Sequence, residues 1–492
     1  MSKQVLAIDF GASSGRALVG SFDGERITLE EIHRFSNDPV ILSNTMYWDF
    51  LRLFHEVKQS LVKAKKAGTI ESIGIDTWGV DFGLIDANGR LLENPVHYRD
   101  RRTHGMLGRA FSLVPRGSFY AVTGNQFMEI NTAFQLMALA EKRPDLIERA
   151  DKLLMMPNLF TFFLTGEKVT EQSIASTTQL YDQAGKCWAY KLAERLGIKE
   201  SLFTNIVPAG VSIGSISEEI TKELDIPETK VIAVCGHDTQ AAMAAAPAEE
   251  KDFAFLSCGT WSLLGTELDE PLLDENALVH NLTNEIGFGG KTSFLKNIIG
   301  LWLIQESRRQ WQREGSDYSY AELETLAREA KPFQCYIDPD DESFVPAGNI
   351  PERIREYCRR TGQYVPETVG EVMRCIYESL ALKYRTAVEE LEACTGRSYK
   401  TIYMIGGGTK DKFLARLTAC ACKRRVSAGP VEATALGNIA VQLIAAGEIS
   451  SIEEARAIIR RSEQIEIFEP DSPMQWAKAY EDYLRVTAPI RG

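Results

Sequence analysis

A short stretch near the start of the chain joins a carboxylate to a turn of small residues. The sequence VLAIDFGASSGRALVG runs from an apolar segment into Asp9 and then through Gly11–Gly15. Backbone N–H groups in such a turn converge and attract an anion, whereas a carboxylate repels one. Both can serve one ligand if a divalent cation lies between them, and Mg²⁺ binds through few carboxylates together with phosphate oxygens. The stretch therefore predicts a phosphate-binding turn with Asp9 as a metal ligand; the alternative is a plain β-hairpin.

The same pattern returns about halfway along the chain. In DFAFLSCGTWSLLGTEL an apolar segment leads into a turn at Ser257–Gly259, which ends in Thr260 before a second apolar segment. Two such turns, one from each half, could hold a polyphosphate from both sides. The repeat also indicates a duplicated architecture. We therefore predict an N-terminal domain of residues 1–247 and a C-terminal domain of residues 248–492.

A third small-residue turn, Gly406–Gly408, stands between an apolar segment and a helical one. Glycine lets the backbone approach a ligand closely, and the N-terminus of the following helix favours phosphate. A tight strand-to-helix turn without any ligand would use the same residues. The motif by itself therefore leaves both interpretations open.

The sequence CGHDTQAA places Asp238 at a strand-to-helix turn, where catalytic carboxylates are often presented. A carboxylate there could accept the proton of a hydroxyl group as that hydroxyl attacks a phosphoryl group. The alternative is an N-cap, because aspartate is favoured at that position. The adjacent His237 is interpreted as a hydrogen-bonding residue, since no Cys/His spacing in the chain supports a zinc site.

Two further segments, IDTWGVDFGLID and HYRDRR, are dense in aspartate, arginine and aromatic residues. Recognition of a polyol needs carboxylates and guanidinium groups for the hydroxyls and an aromatic face for the C–H edges. A salt-bridged surface loop would have the same composition as HYRDRR. We hold the two interpretations of that segment open.

These residues must be positioned by an α/β framework. Apolar segments that end in turns predict strands, and two segments show helical periodicity. The helix in WDFLRLFHEVKQSLVKAKKAG is predicted to bury Leu51, Phe54, Val57 and Leu61, with Gly68 closing it. The helix in EVMRCIYESLALKYRTAVEELEAC is predicted to bury Val372, Ile376, Leu380, Tyr384, Val388 and Leu391.

Length and charge restrict the class of protein. The 492 residues are too many for one hydrophobic core, which favours two domains. The formal net charge of −13 argues against a nucleic-acid partner, which would require a basic face. No segment approaches the length of an apolar membrane helix, so we expect no membrane partner. The first strand begins by residue 5 and leaves no room for a signal peptide, so we expect a cytosolic location.

The nine cysteines are an odd count without the spacing of a disulfide scaffold. They stand mostly in apolar contexts, which predicts reduced, buried thiols. Cys358 and Cys375 could approach each other across a loop and a helix start. They would then either form a bridge or simply pack together.

Taken together, these motifs resemble the FGGY family of carbohydrate kinases, within the actin/Hsp70/hexokinase superfamily. The resemblance spans about residues 5–445 and follows one order along the chain. The hairpin turns occur throughout the superfamily, whereas other motifs are more specific to the family branch that phosphorylates L-rhamnulose. Those more specific motifs are DTWGVDFGLID, SCGTWSLLG and LKNIIGLWLIQ.

The resemblance implies two RNase H-like α/β domains with an active-site cleft between them. It implies ATP-dependent phosphorylation of L-rhamnulose at O1, with ATP and Mg²⁺ as cofactors and only small molecules as partners. One alternative is a kinase for another ketose, such as L-fuculose or L-xylulose. The other is a non-catalytic, nucleotide-gated protein like actin or the Hsp70 ATPase domain. The cluster GHDTQAA and the polar segments favour a kinase.

The resemblance also assigns roles to individual residues. It implies that Asp238 is the catalytic base. The residues it assigns to the nucleotide are Ala12, Ser13, Ser14, Gly15, Arg16, Thr260, Gln305, Gly406, Gly407 and Gly408. The residues it assigns to the sugar are Gly79, His237, Asp238, Thr239 and Asn297. One departure from the wider superfamily is Ala12, which offers no hydroxyl, so Ser13 and Ser14 must supply any hydroxyl contact.

Overall fold

The computed structural model describes residues 2–471 and 473–488. They divide into two compact units. The first contains the described chain up to Pro247 together with Glu267–Phe294 and Glu432–Gln464, and the second contains Ala248–Thr266, Leu295–Val431 and the described residues from Ile465 onward. The units therefore interleave along the chain instead of occupying two continuous halves. Within the described part of the chain, no helix is long and apolar enough to cross a membrane.

The first half of the chain contains both strands and helices and begins with five strands. The strands are β1 (Lys3–Phe10), β2 (Ser14–Phe22), β3 (Ile27–Ser36), β4 (Val40–Leu42), β5 (Thr45–Tyr47), β6 (Ser72–Thr77), β7 (Phe82–Ile85), β8 (Lys152–Met155), β9 (Val169–Glu171), β10 (Tyr181–Asp182), β11 (Cys187–Trp188), β12 (Asn205–Val207), β13 (Val211–Ser215) and β14 (Lys230–Ala233). The α-helices are α1 (Phe50–Ala64), α2 (Met106–Leu113), α3 (Arg116–Thr123), α4 (Thr132–Lys142), α5 (Pro144–Arg149), α6 (Met156–Thr165), α7 (Gln172–Ala175), α8 (Tyr190–Arg195), α9 (Glu218–Leu224) and α10 (Asp238–Ala244).

The second half is richer in helix. Its strands are β15 (Ala254–Cys258), β16 (Trp261–Leu268), β17 (Thr283–Ile286), β18 (Thr292–Ile299), β19 (Thr401–Ile405), β20 (Arg425–Ala428) and β21 (Glu466–Phe468). Its α-helices are α11 (Glu275–Val279), α12 (Trp302–Arg313), α13 (Tyr320–Glu329), α14 (Ile350–Arg360), α15 (Val369–Thr395), α16 (Lys412–Cys422), α17 (Ala433–Ala445), α18 (Ile452–Ser462) and α19 (Pro473–Thr487).

The first unit is built on a six-stranded sheet of order β13-β14-β6-β1-β2-β3. Strands β1, β2 and β3 form an antiparallel meander, which confirms the predicted first hairpin. Strand β6 runs parallel to β1, and β14 runs parallel to β6. The carboxyl ends of these three strands therefore meet at one edge of the sheet. Asp9 on β1 pairs there with Asp76 on β6.

Helices α1 and α17 cover this sheet. Helix α1 begins after Asp49, whose side chain accepts a hydrogen bond from the Arg52 backbone N–H, 3.3 Å away. Its buried face starts at Phe50, so the prediction that Leu51 is buried was wrong: Leu51 is 69% exposed. The predicted helix itself is confirmed, but it ends at Ala64 with Lys65 as its C-cap, so the prediction that Gly68 closes it was wrong. Its buried apolar residues are Phe50, Leu53, Val57, Leu61 and Ala64.

The second unit repeats the antiparallel hairpin. Strand β15 pairs antiparallel with β16, which confirms the second predicted hairpin, and β19 and β20 extend the sheet in parallel. Helix α15 begins with a capping box formed by Thr368 and Glu371, and Gly396 is its C-cap. All six residues that were predicted for its buried face have no exposed surface. The Tyr384 hydroxyl lies 2.7 Å from Ser262 Oγ, which links this helix to β16.

Candidate active site

Three aspartates of the first unit influence one another electrostatically at the carboxyl edge of its sheet. Asp9 is the last residue but one of β1, Asp76 is the last but one of β6, and Asp238 begins α10, a short turn after β14. The pKa of Asp76 responds to the charges of both other carboxylates. The parallel strand order thus gathers residues that lie far apart in sequence.

The first of these carboxylates is paired with a cation in this structure. Arg16 on β2 donates from Nε and Nη2 to Asp9 Oδ2, over 3.1 Å and 3.0 Å. Its Nη1 forms an ion pair with Glu432, the residue before α17. Arg16 is therefore fixed between two carboxylates. The sequence had suggested only a phosphate contact for it.

The second carboxylate, Asp76, is fully buried. Asn438 Nδ2 of α17 donates to Asp76 Oδ2 over 2.6 Å, and Gln442 Nε2 donates to Asn438 Oδ1 over 2.7 Å. Asp76 Oδ1 has no hydrogen-bond partner among the described residues. Burial, together with the neighbouring Asp9 charge, raises the pKa of Asp76 well above its ordinary value. This site therefore contains a buried oxygen that a bound ligand could satisfy.

Asp238 is the first helical residue of α10, and the N-cap position belongs to His237. The Asp238 side chain is 28% exposed. Thr239 Oγ1 donates to its Oδ1 over 3.3 Å. Burial and, to a smaller extent, the Asp9 charge raise the pKa of Asp238, His237 opposes the rise, and the resulting pKa is about 6. A partly accessible carboxylate with such a pKa is suited to take a proton near neutral pH.

His237 is held by a carboxylate that the sequence analysis did not identify. Its Nδ1 lies 2.8 Å from Glu285 Oε2 of β17, and Gln240 Nε2 donates to the same oxygen over 2.9 Å. Its Nε2 faces Asp238 Oδ1 at 3.4 Å. Burial lowers the pKa of His237, but Glu285 and Asp238 outweigh it, and the pKa is raised from its ordinary value. Glu285 thus fixes both the ring and its charge.

Gly79 lies directly against this histidine. A Cβ placed on Gly79 would be 3.3 Å from His237 Nε2 and 3.4 Å from Thr177 Cγ2. The next residue, Val80, has a φ of 65°. A β-branched residue in that conformation is a strained outlier of the kind found at functional sites. The loop is therefore shaped so that a residue without a side chain adjoins His237.

Asp81 anchors the same loop through hydrogen bonds to its side chain. It is fully buried. Trp48 Nε1 donates to its Oδ2 over 2.7 Å, and Trp78 Nε1 donates over 3.0 Å. Gln135 Nε2 donates to its Oδ1 over 2.9 Å. Burial raises the pKa of Asp81 to about 6. This aspartate thus serves to hold the loop, while the centroids of the two tryptophan rings lie 4.1 Å apart with the rings tilted by 35°.

The segment HYRDRR is largely packed against its neighbours, so it is not a purely exposed loop. His97 is buried and stacks on Trp48 with ring centroids 4.1 Å apart. Asp100 Oδ2 accepts from the Met46 backbone N–H over 2.9 Å, and Arg102 Nη2 donates to Gln135 Oε1 over 2.6 Å. Burial lowers the pKa of His97 to about 3. The segment supports the loop around Asp81, because His97 and Arg102 contact Trp48 and Gln135, the side chains that bind Asp81.

The first small-residue turn offers backbone donors. Gly11 N donates to Ser14 O over 3.0 Å, which closes the turn. Within the described chain, the backbone N–H groups of Ala12 and Ser13 have no hydrogen-bond partner. Gly15 is buried, and a Cβ there would collide with the Phe35 ring at 2.2 Å. The turn can therefore present two free N–H groups, while Gly15 serves packing.

The second small-residue turn brings two nucleotide candidates together. Thr260 Oγ1 donates to Gln305 Oε1 over 3.2 Å. The backbone N–H groups of Gly300 and Trp302 both donate to Thr260 O, over 3.2 Å and 3.1 Å. The turn is therefore fixed to the start of α12. Asn297 lies half-buried on β18 of this same unit.

The three glycines follow β19 in the second unit. Gly406 has a φ of 86°, which only glycine adopts without strain. A Cβ on Gly408 would lie 2.3 Å from Cys258 Sγ, whereas a Cβ on Gly407 would meet nothing within 4 Å. Gly408 therefore packs against the end of β15, and Gly407 faces open space where a ligand can approach.

Comparisons with known proteins agree with this architecture. Residues 4–245 and 254–446 match the N-terminal and C-terminal domains of the FGGY family of carbohydrate kinases. The chain is 42% identical over 481 residues to the rhamnulokinase of Bacteroides thetaiotaomicron, covering 98% of each chain. It is 40% identical over 458 residues to the rhamnulokinase of Oceanobacillus iheyensis, covering 93% of this chain and 96% of the relative.

Solved structures show the same fold at lower identity. The xylulose kinase of Rhodospirillum rubrum superposes with a TM-score of 0.79 at 18% identity, covering 98% of this chain and 97% of the other. The gluconate kinase of Lactobacillus acidophilus superposes with a TM-score of 0.78 at 18% identity, covering 99% of this chain and 98% of the other. The predicted α/β fold is thereby confirmed. Both domain matches together span most of the sequence, and the chain belongs to the FGGY family of carbohydrate kinases.

Proposed function

We propose that this protein transfers the γ-phosphoryl group of ATP to O1 of L-rhamnulose, giving L-rhamnulose 1-phosphate and ADP. The observation that carries the proposal is the full-length similarity to two proteins named rhamnulokinase, at 42% and 40% identity. The geometry around Asp238 supplies the chemistry that such a transfer needs.

Asp238 acts as the general base. Its carboxylate accepts the proton of the sugar hydroxyl as that oxygen attacks the γ-phosphorus, and the bond from phosphorus to the β–γ bridging oxygen breaks. A pKa of about 6 keeps the carboxylate ionised at neutral pH while leaving it basic enough to share a proton. Because the side chain is 28% exposed, a bound hydroxyl can reach it.

The sugar is held by the residues around this base. His237 presents Nε2 beside Asp238 at 3.4 Å and can donate to a sugar hydroxyl. Gly79 leaves the space next to that nitrogen open. Thr239 and Asn297 complete the proposed set of sugar contacts.

The nucleotide is held by turns and by polar side chains. The backbone N–H groups of Ala12 and Ser13 have no other partner within the described chain and can donate hydrogen bonds to phosphate oxygens. The Ser14 hydroxyl follows directly in the sequence. Thr260, Gln305 and the Gly406–Gly408 turn form the remaining proposed contacts, all in the second unit.

The carboxyl edge of the first unit fits Mg²⁺. Its donors are carboxylate oxygens, which this ion prefers, and Asp76 Oδ1 is a buried oxygen without a partner among the described residues. We propose Asp9 as the ligand, directly or through water, with Asp76 behind it. Mg²⁺ bound there would neutralise charge on the phosphate oxygens.

A coupled ADP-release assay with a ketose panel tests this function. At fixed ATP, we expect turnover with L-rhamnulose to exceed turnover with L-fuculose and L-xylulose. Faster turnover with another ketose would contradict the proposal that L-rhamnulose is the substrate, but it would agree with a ketose kinase. ADP release that does not depend on any sugar would reject the kinase in favour of a nucleotide-gated protein.

A further inference from the structure

A short buried segment through helix α7 contacts the parts of the first unit that carry the proposed base and sugar contacts. Its polar residues Glu171, Ser173, Ser176 and Thr177 are 2%, 1%, 0% and 4% exposed. Buried polar groups need hydrogen-bond partners inside the protein. None of the four is among the residues proposed to contact ATP, Mg²⁺ or the sugar. Their partners therefore show what the segment does.

Glu171 fixes the turn that precedes Asp238. Gly236 N donates to Glu171 Oε2 over 2.8 Å. Ser173 donates to the same carboxylate twice, from N to Oε1 over 2.9 Å and from Oγ to Oε2 over 2.5 Å. Because each of these partners donates, they match an ionised carboxylate, which only accepts. Gly236 lies in the turn between β14 and α10, so this carboxylate holds the turn that presents Asp238.

The Ser173 hydroxyl extends this support to His237. Ser173 Oγ accepts from His237 N over 3.2 Å while it donates to the carboxylate. On the other side of the turn, Thr77 N of β6 donates to Gly236 O over 2.9 Å. His237 is the N-cap of α10, and Asp238 is the first residue of that helix. A shift of this turn would therefore move the base itself.

Two more hydroxyls of the segment hold the other walls of the site. Val80 N donates to Thr177 Oγ1 over 3.2 Å, which fixes the strained loop beside the histidine. Ile286 N of β17 donates to Ser176 Oγ over 2.9 Å. Ile286 directly follows Glu285, the carboxylate that fixes the imidazole ring. One segment thus ties together three stretches of chain that lie far apart in sequence.

We propose that Glu171 and Ser173 position Asp238 for phosphoryl transfer and that Ser176 and Thr177 position the residues around the sugar. These are positioning residues, because they contact the backbone of the site and not the reacting atoms. The proposal rests on the proposed role of Asp238 as the base. Misplacement of a reacting group by about 1 Å can cost about 100-fold in rate, so support of this turn bears directly on turnover.

The alternative is that Glu171 only caps a helix. It is the N-cap of α7, and Ser173 N and Ile174 N both donate to its side chain. Capping accounts for those two bonds alone. The bonds that Gly236 N and His237 N donate run from the turn to this segment, and capping does not explain them. Positioning accounts for both sets.

Ser173→Ala tests the link to the base. The substitution removes one oxygen atom and leaves His237 N without its acceptor. With the ketose that the wild type prefers, we expect kcat to fall at least about tenfold, because the turn is no longer held. KM for ATP should stay within about twofold, since a loss confined to the transition state lowers kcat alone. Steady-state kinetics measure both, and hydrogen exchange in the peptide that contains His237 should be faster than in the wild type.

Ser60→Ala is the matched control. Ser60 is 0% exposed, and its Oγ donates to Glu56 O inside α1. This variant should keep wild-type kcat even if its melting temperature falls as far as that of Ser173→Ala. Ser173→Thr returns a hydroxyl group and should recover most of the lost kcat. A role in packing alone predicts the reverse, because threonine adds a methyl group to a filled site.

Two further variants keep the proposal testable if Ser173→Ala does not fold. Glu171→Gln keeps the side-chain size and turns an amide N–H toward one of the donors, so kcat should fall in the same way. Thr177→Val keeps the side-chain shape and removes the acceptor of Val80 N. Loss of that hydrogen bond should raise KM for the ketose about threefold or more, while KM for ATP stays unchanged.

The outcomes separate this proposal from the proposed function. Wild-type turnover of a ketose together with more than about half of that kcat in Ser173→Ala would overturn the positioning role alone. The same conclusion would follow if Ser173→Thr were slower than Ser173→Ala, or if Thr177→Val left KM for the ketose unchanged. A wild type that turns over no sugar would overturn both proposals.

Discussion

At the scale of single residues, the account depends most on Asp238. Asp238→Asn keeps the size of the side chain and removes its basicity. Because loss of a general base typically costs about 10²–10⁴-fold in rate, we expect kcat to fall by that factor while the affinities for ATP and ketose change little. Steady-state kinetics and calorimetric titration measure the two effects.

The control for this variant is Asp38→Asn, the same chemical change at an exposed position without a described side-chain interaction. It should leave kcat unchanged. If Asp238→Asn retained more than a third of wild-type kcat, another group would have to be the base.

The pH dependence follows from the raised pKa of Asp238, which burial sets at about 6. Only the ionised carboxylate can accept a proton, so activity is present above this pKa and is lost as the pH falls through it. We expect log kcat/KM for the ketose to decline with a slope approaching one below about pH 6 and to be flat above it. A profile that stays flat down to pH 4.5 would rule out a carboxylate with this pKa as the base.

Glu285 is predicted to position His237 rather than to touch the reacting atoms. Glu285→Gln keeps a hydrogen-bond acceptor 2.8 Å from Nδ1 but removes the charge that raises the pKa of His237. A hydrogen bond to a charged group contributes about 1.5–3 kcal/mol. We therefore expect at least about a tenfold loss in kcat/KM for the ketose, carried mainly by KM.

Proton NMR of the imidazole separates this role from a purely structural one, because the pKa of His237 should fall in Glu285→Gln. The matched control is Glu275→Gln, an exposed position on α11 in the same chain segment. An unchanged His237 pKa together with an unchanged KM would contradict the positioning role.

At the scale of elements, apolar periodicity predicted the buried face of one helix fully and that of another only in part. Helix α15 buries every residue that its pattern selected. In α1 the pattern included Leu51, but the ring of Phe50 stacks on Phe160 at 4.9 Å and sets the phase of the helix. One residue further on, a side chain points about 100° away. Apolar periodicity alone could not choose between the two phases, because both Phe50 and Leu51 are apolar.

The contact between α10 and α17 is also a property of elements. A Cβ on Gly437 of α17 would lie 1.7 Å from the Ala241 carbonyl oxygen of α10. Gly437→Ala must therefore separate the two helices, and we expect a loss of about 1–3 kcal/mol in the free energy of unfolding. Chemical denaturation measures it.

Gly108 of α2 is the matched control, since a Cβ there meets nothing within 4 Å. Gly108→Ala should be neutral or stabilise by about 0.5–1 kcal/mol, because alanine loses less backbone entropy in a helix. Equal effects of the two substitutions would show that the close approach of α10 and α17 does not limit stability.

At the scale of the whole molecule, local motifs were predictable and their distant partners were not. The two hairpins, the glycine turn and Asp238 each carry their signal within a few neighbouring residues. Asn438 lies 362 positions from Asp76, and Glu285 lies 48 positions from His237. Only the fold brings such pairs together. Strand β17 has the sequence TNEI, in which three of the four residues are polar, so the sequence carried no distinct signal for Glu285.

The most direct test of the central claim is a competition for limiting ATP. Equimolar L-rhamnulose, L-fuculose and L-xylulose are mixed with the enzyme, and NMR of the products gives the ratio of kcat/KM values from a single sample. The account predicts one dominant phosphomonoester, on O1 of L-rhamnulose, formed with equimolar ADP and abolished in Asp238→Asn. A dominant phosphate ester of either other ketose, or ADP formed without any ester, would contradict it.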